Sequence, residues 1–120
     1  MNIALITGGS GHVGANLVRE LTKQDFRVRC IDFDGDHRAF EGYDVELIKG
    51  NITDIESIDK AFEDVDVVFH TAALISLVRK DRDIIRSVNV LGTKNVCELS
   101  LRHGVKTVSY THLRAHETRT

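Results

Sequence analysis

The chain has 120 residues, 42% of them hydrophobic and 28% charged, with a formal net charge of −2. That suffices for one hydrophobic core and leaves two domains crowded, while the near-neutral balance offers no general attraction to nucleic acid or to anionic membrane. No apolar stretch approaches the roughly 20 residues of a membrane span, and Met1 leads into a strand without a basic segment and cleavage site, so a cytoplasmic protein is expected.

Hydrophobic periodicity alternates strand and helix. Strands are predicted at about 2–7, 28–33, 45–48, 66–70 and 105–109, with helices filling the gaps. The first helix runs from about Gly11 to Gln24, with Val13, Leu17, Val18 and Leu21 on its apolar face. A second starts at Thr53, which with Glu56 forms an S/T-x-x-E capping box, and buries Ile58, Ala61 and Phe62. A longer one carries Ile84, Ile85, Val88, Leu91, Val96 and Leu99 and stops at Gly104, a suitable residue just past a helix end. Cys30 and Cys97 fall on the second strand and the long helix, where free thiols act as small apolar residues. Right-handed crossovers make this an α/β fold with a parallel sheet in the order 3-2-1-4-5, and a ligand crevice where the order reverses beside the first strand.

The first strand ends in Thr7-Gly8-Gly9-Ser10-Gly11-His12-Val13-Gly14, a G-x-x-G-x-x-G turn that opens the first helix. Glycines there let the backbone approach a phosphate, and the unpaired N–H groups and positive dipole end of the helix face an anion. A tight turn without a ligand would carry the same glycines. No Lys-Ser or Lys-Thr pair follows, which disfavours a nucleoside triphosphate. Asp32 ends the second strand 18 residues past Gly14, close to the roughly 20 expected of a carboxylate that binds a ribose in a dinucleotide site. Such a carboxylate bonds both ribose hydroxyls and repels a 2′-phosphate, so NAD is expected rather than NADP. Arg38 could accommodate a phosphate, though Asp34 and Asp36 lie nearer.

With Gly50-Asn51-Ile52-Thr53-Asp54, His70-Thr71-Ala72-Ala73 and Asn89-Val90-x-Gly92-Thr93-x-Asn95-Val96 added, the set resembles the extended short-chain dehydrogenase/reductases. These include NAD-dependent epimerase/dehydratases and 3β-hydroxysteroid-dehydrogenase-like and dihydroflavonol-reductase-like enzymes. The resemblance covers Met1 to about Lys106 and implies a Rossmann-type sheet, here truncated after its fifth strand. It implies a cofactor site made of Gly8, Gly11, His12, Val13, Gly14, Asp32, Asn51, Ile52, Ala72, Ala73 and Asn89. In this set Asn51 and Ile52 hold the adenine, Ala72 and Ala73 let the backbone approach the ribose and pyrophosphate, and Asn89 supports the site from its helix. Asn51 stands where the family usually has Asp, and its amide oxygen can accept from the adenine amino group. His70 is read as a packed or hydrogen-bonded residue without chemistry.

The family's hydride chemistry needs a Tyr-x-x-x-Lys pair, but Leu47 and Arg114 follow Tyr43 and Tyr110 at that spacing. The resemblance therefore implies the NAD-binding part of an NAD-dependent oxidoreductase or epimerase/dehydratase, catalytically incomplete as it stands. Its substrate would be a small molecule such as a nucleotide sugar or a sterol-like alcohol, and its other partner in the full-length protein a second copy of itself. A non-catalytic NAD(P)-sensing regulator on the same fold shares every one of these motifs.

Residues 108–118, Val-Ser-Tyr-Thr-His-Leu-Arg-Ala-His-Glu-Thr, match the in-frame translation of a transposase-type sequencing adapter. The expectation is a native NAD-binding domain over 1–106 and a non-native tail over 107–120. The His112-x-x-x-His116 spacing in that tail lacks a third ligand, so no metal site is expected.

Overall fold

The computed structural model describes residues 2–7, 12–32, 42–70 and 82–110. Along the chain run β1 (Ile3–Thr7), α1 (His12–Lys23), β2 (Arg27–Asp32) and β3 (Val45–Lys49). They are followed by α2 (Ile55–Ile58), a 3-10 turn (Asp59–Phe62), β4 (Val67–His70), α3 (Arg82–Arg102) and β5 (Thr107–Tyr110). The five strands are all parallel, in the order β3-β2-β1-β4-β5, the order expected from the α/β alternation.

Side chains alternate across the sheet, so each strand feeds two cores. Ala4, Ile6, Val28 and Cys30 face α1 through Val18 and Leu21. Leu5, Ile31 and Val68 point the other way, onto Ile58, Ala61, Phe62, Val96 and Leu99. Covering both faces explains why β1 and the end of β2 read as nearly continuous apolar runs.

The helix ends bring one departure from expectation, at α2. At α3, Gly104 takes φ +71. The Val105 N–H donates to Ser100 O at 2.9 Å and the Gly104 N–H to Leu101 O at 3.3 Å, a Schellman ending at the expected glycine. The end of α1 uses the same pattern without glycine: Phe26 N–H donates to Leu21 O at 3.1 Å, Asp25 N–H to Thr22 O at 3.3 Å, and Asp25 itself sits at φ 66. The capping box at Thr53 does not form. The helix begins at Ile55 after Asp54, with no side-chain cap, because the Thr53 hydroxyl donates instead to Asn51 Oδ1 at 2.8 Å. Leu91 is also turned outward, 43% exposed, in contrast to Val96 and Leu99 on the same helix.

Polar contacts at the N-terminal end of the sheet lock the crossovers. Arg29 Nη1 donates to Ala61 O at 2.7 Å and Glu63 O at 2.9 Å, closing the end of the 3-10 turn against β2. His103 Nε2 lies 2.7 Å from Asp59 Oδ1 and its ring stacks on Phe62, which ties the end of α3 to the 3-10 turn. None of these residues is near the C-terminal strand ends, where the crevice lies.

Candidate functional site

The strand order reverses at β1, whose neighbours are β2 and β4, so the crevice opens above the C-terminal ends of these strands. Asp32, the last residue of β2, pairs in register with Lys49 of β3. Its backbone carbonyl accepts from the Gly50 N–H at 3.1 Å, which brings the carboxylate-bearing strand end beside the Asn51 loop. Asp32 is partly exposed. Among the described residues no hydrogen bond or ion pair reaches its carboxylate. Two residues earlier on β2, burial and then the Asp32 charge push the Cys30 thiol up to about 12, so Cys30 stays a protonated, unreactive core residue.

The Asn51 loop is built from its own side chains. Asn51 Oδ1 accepts the Thr53 N–H at 3.0 Å and the Thr53 hydroxyl at 2.8 Å, while the Ser57 hydroxyl lies within reach of two carbonyls, Asp54 O at 2.8 Å and Asn51 O at 3.1 Å, for its single proton. Both lone pairs of the Asn51 amide oxygen are thus used inside the loop, leaving the amide N–H groups and the Ile52 backbone N–H as the groups this loop can present. Ile52 is held from behind by α3. Its carbonyl accepts from Asn95 Nδ2 at 2.8 Å, and its side chain fills the space over Gly92, where a Cβ would lie 2.8 Å from Ile52 Cγ1.

A second set of bonds joins β1, β4 and α3. Thr7 Oγ1 lies 2.7 Å from His70 Nδ1, and Thr93 Oγ1 lies 3.0 Å from His70 Nε2. Thr7 and His70 are buried. A hydroxyl can donate or accept, so either neutral tautomer of the ring satisfies both partners. His70 is therefore the hydrogen-bonded structural residue that its place at a strand end suggested.

The expected site residues divide accordingly. Asp32, Asn51 and Ile52 come together at the ends of β2 and β3. His12, Val13 and Gly14 lie in the first turn of α1 and Asn89 lies in α3, with their side chains outside the described residues. Gly8, Gly11, Ala72 and Ala73 lie outside the described residues altogether. Thr7, Thr93 and Asn95 stand within the motifs that carry the resemblance, but none of them was assigned to the cofactor site. The signal for them was that motif membership; apart from it, Thr7 is the one polar residue of Ile3–Thr7, and Thr93 and Asn95 look like ordinary polar residues on a helix.

Residues 5–113 match the 3-beta hydroxysteroid dehydrogenase/isomerase family. The chain is 41% identical over 108 residues to sterol demethylase protein B of Methylococcus capsulatus, covering 89% of this chain and 33% of that protein. It is 38% identical over 114 residues to a 3-beta-hydroxysteroid dehydrogenase of Mycolicibacterium neoaurum, covering 89% and 31%. Among solved structures, the UDP-glucose 4-epimerase of Thermus thermophilus in complex with NAD superimposes with a TM-score of 0.79 at 27% identity, over 88% of this chain and 36% of that one. The chain thus spans about a third of the length of these relatives.

Proposed function

The chain belongs to the 3-beta hydroxysteroid dehydrogenase/isomerase family, and from that premise we propose that residues 1–106 are the NAD-binding part of an NAD-dependent oxidoreductase or epimerase/dehydratase. The substrate class is a small molecule with a hydroxyl or carbonyl group, such as a nucleotide sugar or a sterol-like alcohol. The full-length protein works in the cytoplasm, as a homodimer. A bound nicotinamide would supply the hydride acceptor or donor.

The observation that carries the reading is the Asp32 carboxylate. It sits at the end of β2 beside the switch point, with no partner among the described residues. A carboxylate left without a donor at that place fits a ribose with two free hydroxyls, each able to make a charge-assisted bond, and opposes a 2′-phosphate. The Asn51 loop stands next to it, where the adenine would follow the ribose. With Asn51 Oδ1 occupied by Thr53, we assign adenine recognition to the Asn51 amide N–H groups and the Ile52 backbone, with the Ile52 side chain against the ring. Gly8, Gly11, His12, Val13 and Gly14 would surround the pyrophosphate at the start of α1. Ala72 and Ala73 would let the backbone approach the ribose and pyrophosphate, and Asn89 would support the site from its helix. The proton-transfer centre of the family lies outside this chain, so the chain by itself is assigned binding and no turnover.

Calorimetric titration of NAD and NADP into the chain and into an Asp32→Asn variant tests this. NAD should bind wild type more tightly by about 1 to 3 kcal/mol, the worth of a hydrogen bond to a charged group, and the variant should lose most of that preference. Equal affinities in wild type would overturn the Asp32 assignment. Binding of neither nucleotide would overturn the nucleotide reading.

A further inference from the structure

Of the four buried polar residues in the described part of the chain, Ser100 bonds within its own helix, to Val96 O at 2.7 Å. The other three, Thr7, His70 and Asn95, all lie towards the crevice end of the sheet, and each bonds across elements. Burying polar groups is costly unless they are satisfied, and an apolar residue would fill the same space with less risk. Their concentration at one end of the core calls for a role that apolar packing cannot supply, which is to fix the strand ends and the loop in one relative position.

The bonds converge on a single turn of α3. Within Gly92–Asn95, Gly92 seats the Ile52 side chain, Thr93 Oγ1 meets His70 Nε2, and Asn95 Nδ2 holds the Ile52 carbonyl. Through His70 the Thr93 contact reaches Thr7, the residue just before Gly8, and His70 itself immediately precedes Thr71-Ala72-Ala73. Resting on the nucleotide reading proposed above, we infer that Thr93 and Asn95 are two separate positioning residues for the bound dinucleotide. Thr93 acts through His70 on the ends of β1 and β4, and so on the pyrophosphate and nicotinamide half. Asn95 acts through the Ile52 carbonyl on the adenine half. Neither touches the nucleotide.

The two braces share a helix turn but grip different halves of the ligand, so they predict a split that general loss of stability would not produce. The variants are Thr93→Val, which keeps the shape and deletes the hydroxyl, Thr93→Ser, which restores it, and Asn95→Leu. Each is titrated with NAD and with AMP, the adenine half alone, at a temperature where circular dichroism shows it folded. Thr93→Val should weaken NAD about tenfold, the equivalent of one hydrogen bond, with AMP affinity unchanged, and Thr93→Ser should recover NAD binding. Asn95→Leu should weaken AMP and NAD by a similar factor. Parallel losses for both ligands in Thr93→Val, or no loss in either variant while wild type binds NAD, would overturn the inference and leave the proposed function standing. Failure of wild type to bind either nucleotide would remove both.

Discussion

Replacing Gly92 by alanine sets two effects of similar size against each other. In a helix interior, alanine is favoured over glycine by about 1 kcal/mol, and Gly92 lies well inside α3. Against this, the new Cβ would lie 2.8 Å from Ile52 Cγ1 and 3.5 Å from Ile52 Cβ, and closer still to Ile52 Cδ1. Carbon atoms in favourable contact sit roughly 3.5 to 4.0 Å apart. A rotation of Cδ1 alone does not clear Cγ1. Ile52 is β-branched and stiff at χ1, and its carbonyl is tied to Asn95, so the loop cannot slide away without losing that bond. Forcing a methyl into a filled site costs about 1 to 3 kcal/mol, and the expected net effect is a destabilisation between about zero and 2 kcal/mol. Because the net can be small, the decisive measurement is a double-mutant cycle with Ile52→Ala, read by urea denaturation. In the Ile52→Ala background the clash is absent, and Gly92→Ala should stabilise by about 1 kcal/mol. The coupling between the two sites should therefore be about 1 to 3 kcal/mol. If Gly92→Ala stabilises both backgrounds equally, α3 does not approach the Ile52 loop as described.

Three further outcomes are expected. Asp25→Gly should stabilise the chain by roughly 0.5 to 1 kcal/mol, since Asp25 ends α1 at φ 66, where a Cβ is strained and glycine is not; a destabilised variant in thermal melts would show that the aspartate side chain has a role of its own. Arg29→Met should cost about 2 to 4 kcal/mol by leaving Ala61 O and Glu63 O without their donor. Glu46→Gln, which weakens only a pair whose carboxylate is well exposed, should cost under about 1 kcal/mol, and equal losses would contradict this ranking. The Cys30 thiol ionises at about 12 in the folded chain against 9.0 for the free group. The unfolded state therefore loses its proton first, and the Cys30 contribution to stability is fully present below about pH 9 and declines as pH rises towards 12. The decline approaches about 1.4 kcal/mol per pH unit in that window. Cys30→Ala should lack this component, so identical slopes for wild type and variant in urea titrations between pH 9 and 11 would refute it.

The sheet order was legible because it follows from backbone chirality and from the alternation of strand and helix along the chain, signals that no single contact can reverse. The place of Asp32 at the end of β2 was legible for a related reason: its distance from Gly14 is set by the length of α1 and the return of β2. Thr53 was misread because its side chain had two local partners to choose from. Thr53 could cap a helix or close the Asn51 turn, and geometry favoured the turn because Asn51 Oδ1 accepts both its N–H and its hydroxyl. The Thr93 and Asn95 contacts span 23 and 43 residues of sequence, and nothing in the local pattern of a helix distinguishes a polar residue that reaches across the fold from one that faces water.

β5 bears on the proposal that residues 107–120 are not native, because it is made of the first four of them. Its register with β4, Val67 against Thr107 through His70 against Tyr110, is set before that stretch begins. The Gly104 turn directs the chain back, and the Lys106 N–H donates to Asp66 O at 3.2 Å. From there β4 presents a free edge of N–H and C=O groups that any extended backbone can pair, and Val108 is the residue of β5 that packs on the core. Strand formation at 107–110 is what the preceding 106 residues impose on a Thr-Val-Ser-Tyr stretch with adequate β propensity, so it is expected whether the stretch is native or not. The family match runs to residue 113 and so takes in the first seven residues of 107–120. The coding DNA separates a native stretch from a non-native one. The source locus, amplified from primers within codons 1–106 and read outward without adapter ligation, should diverge from the present sequence by the codon for Ser109. Recovery of the codons for Ser109 to Glu117 would show that the tail belongs to the protein, and β5 would then be a native strand with its own selected side chains.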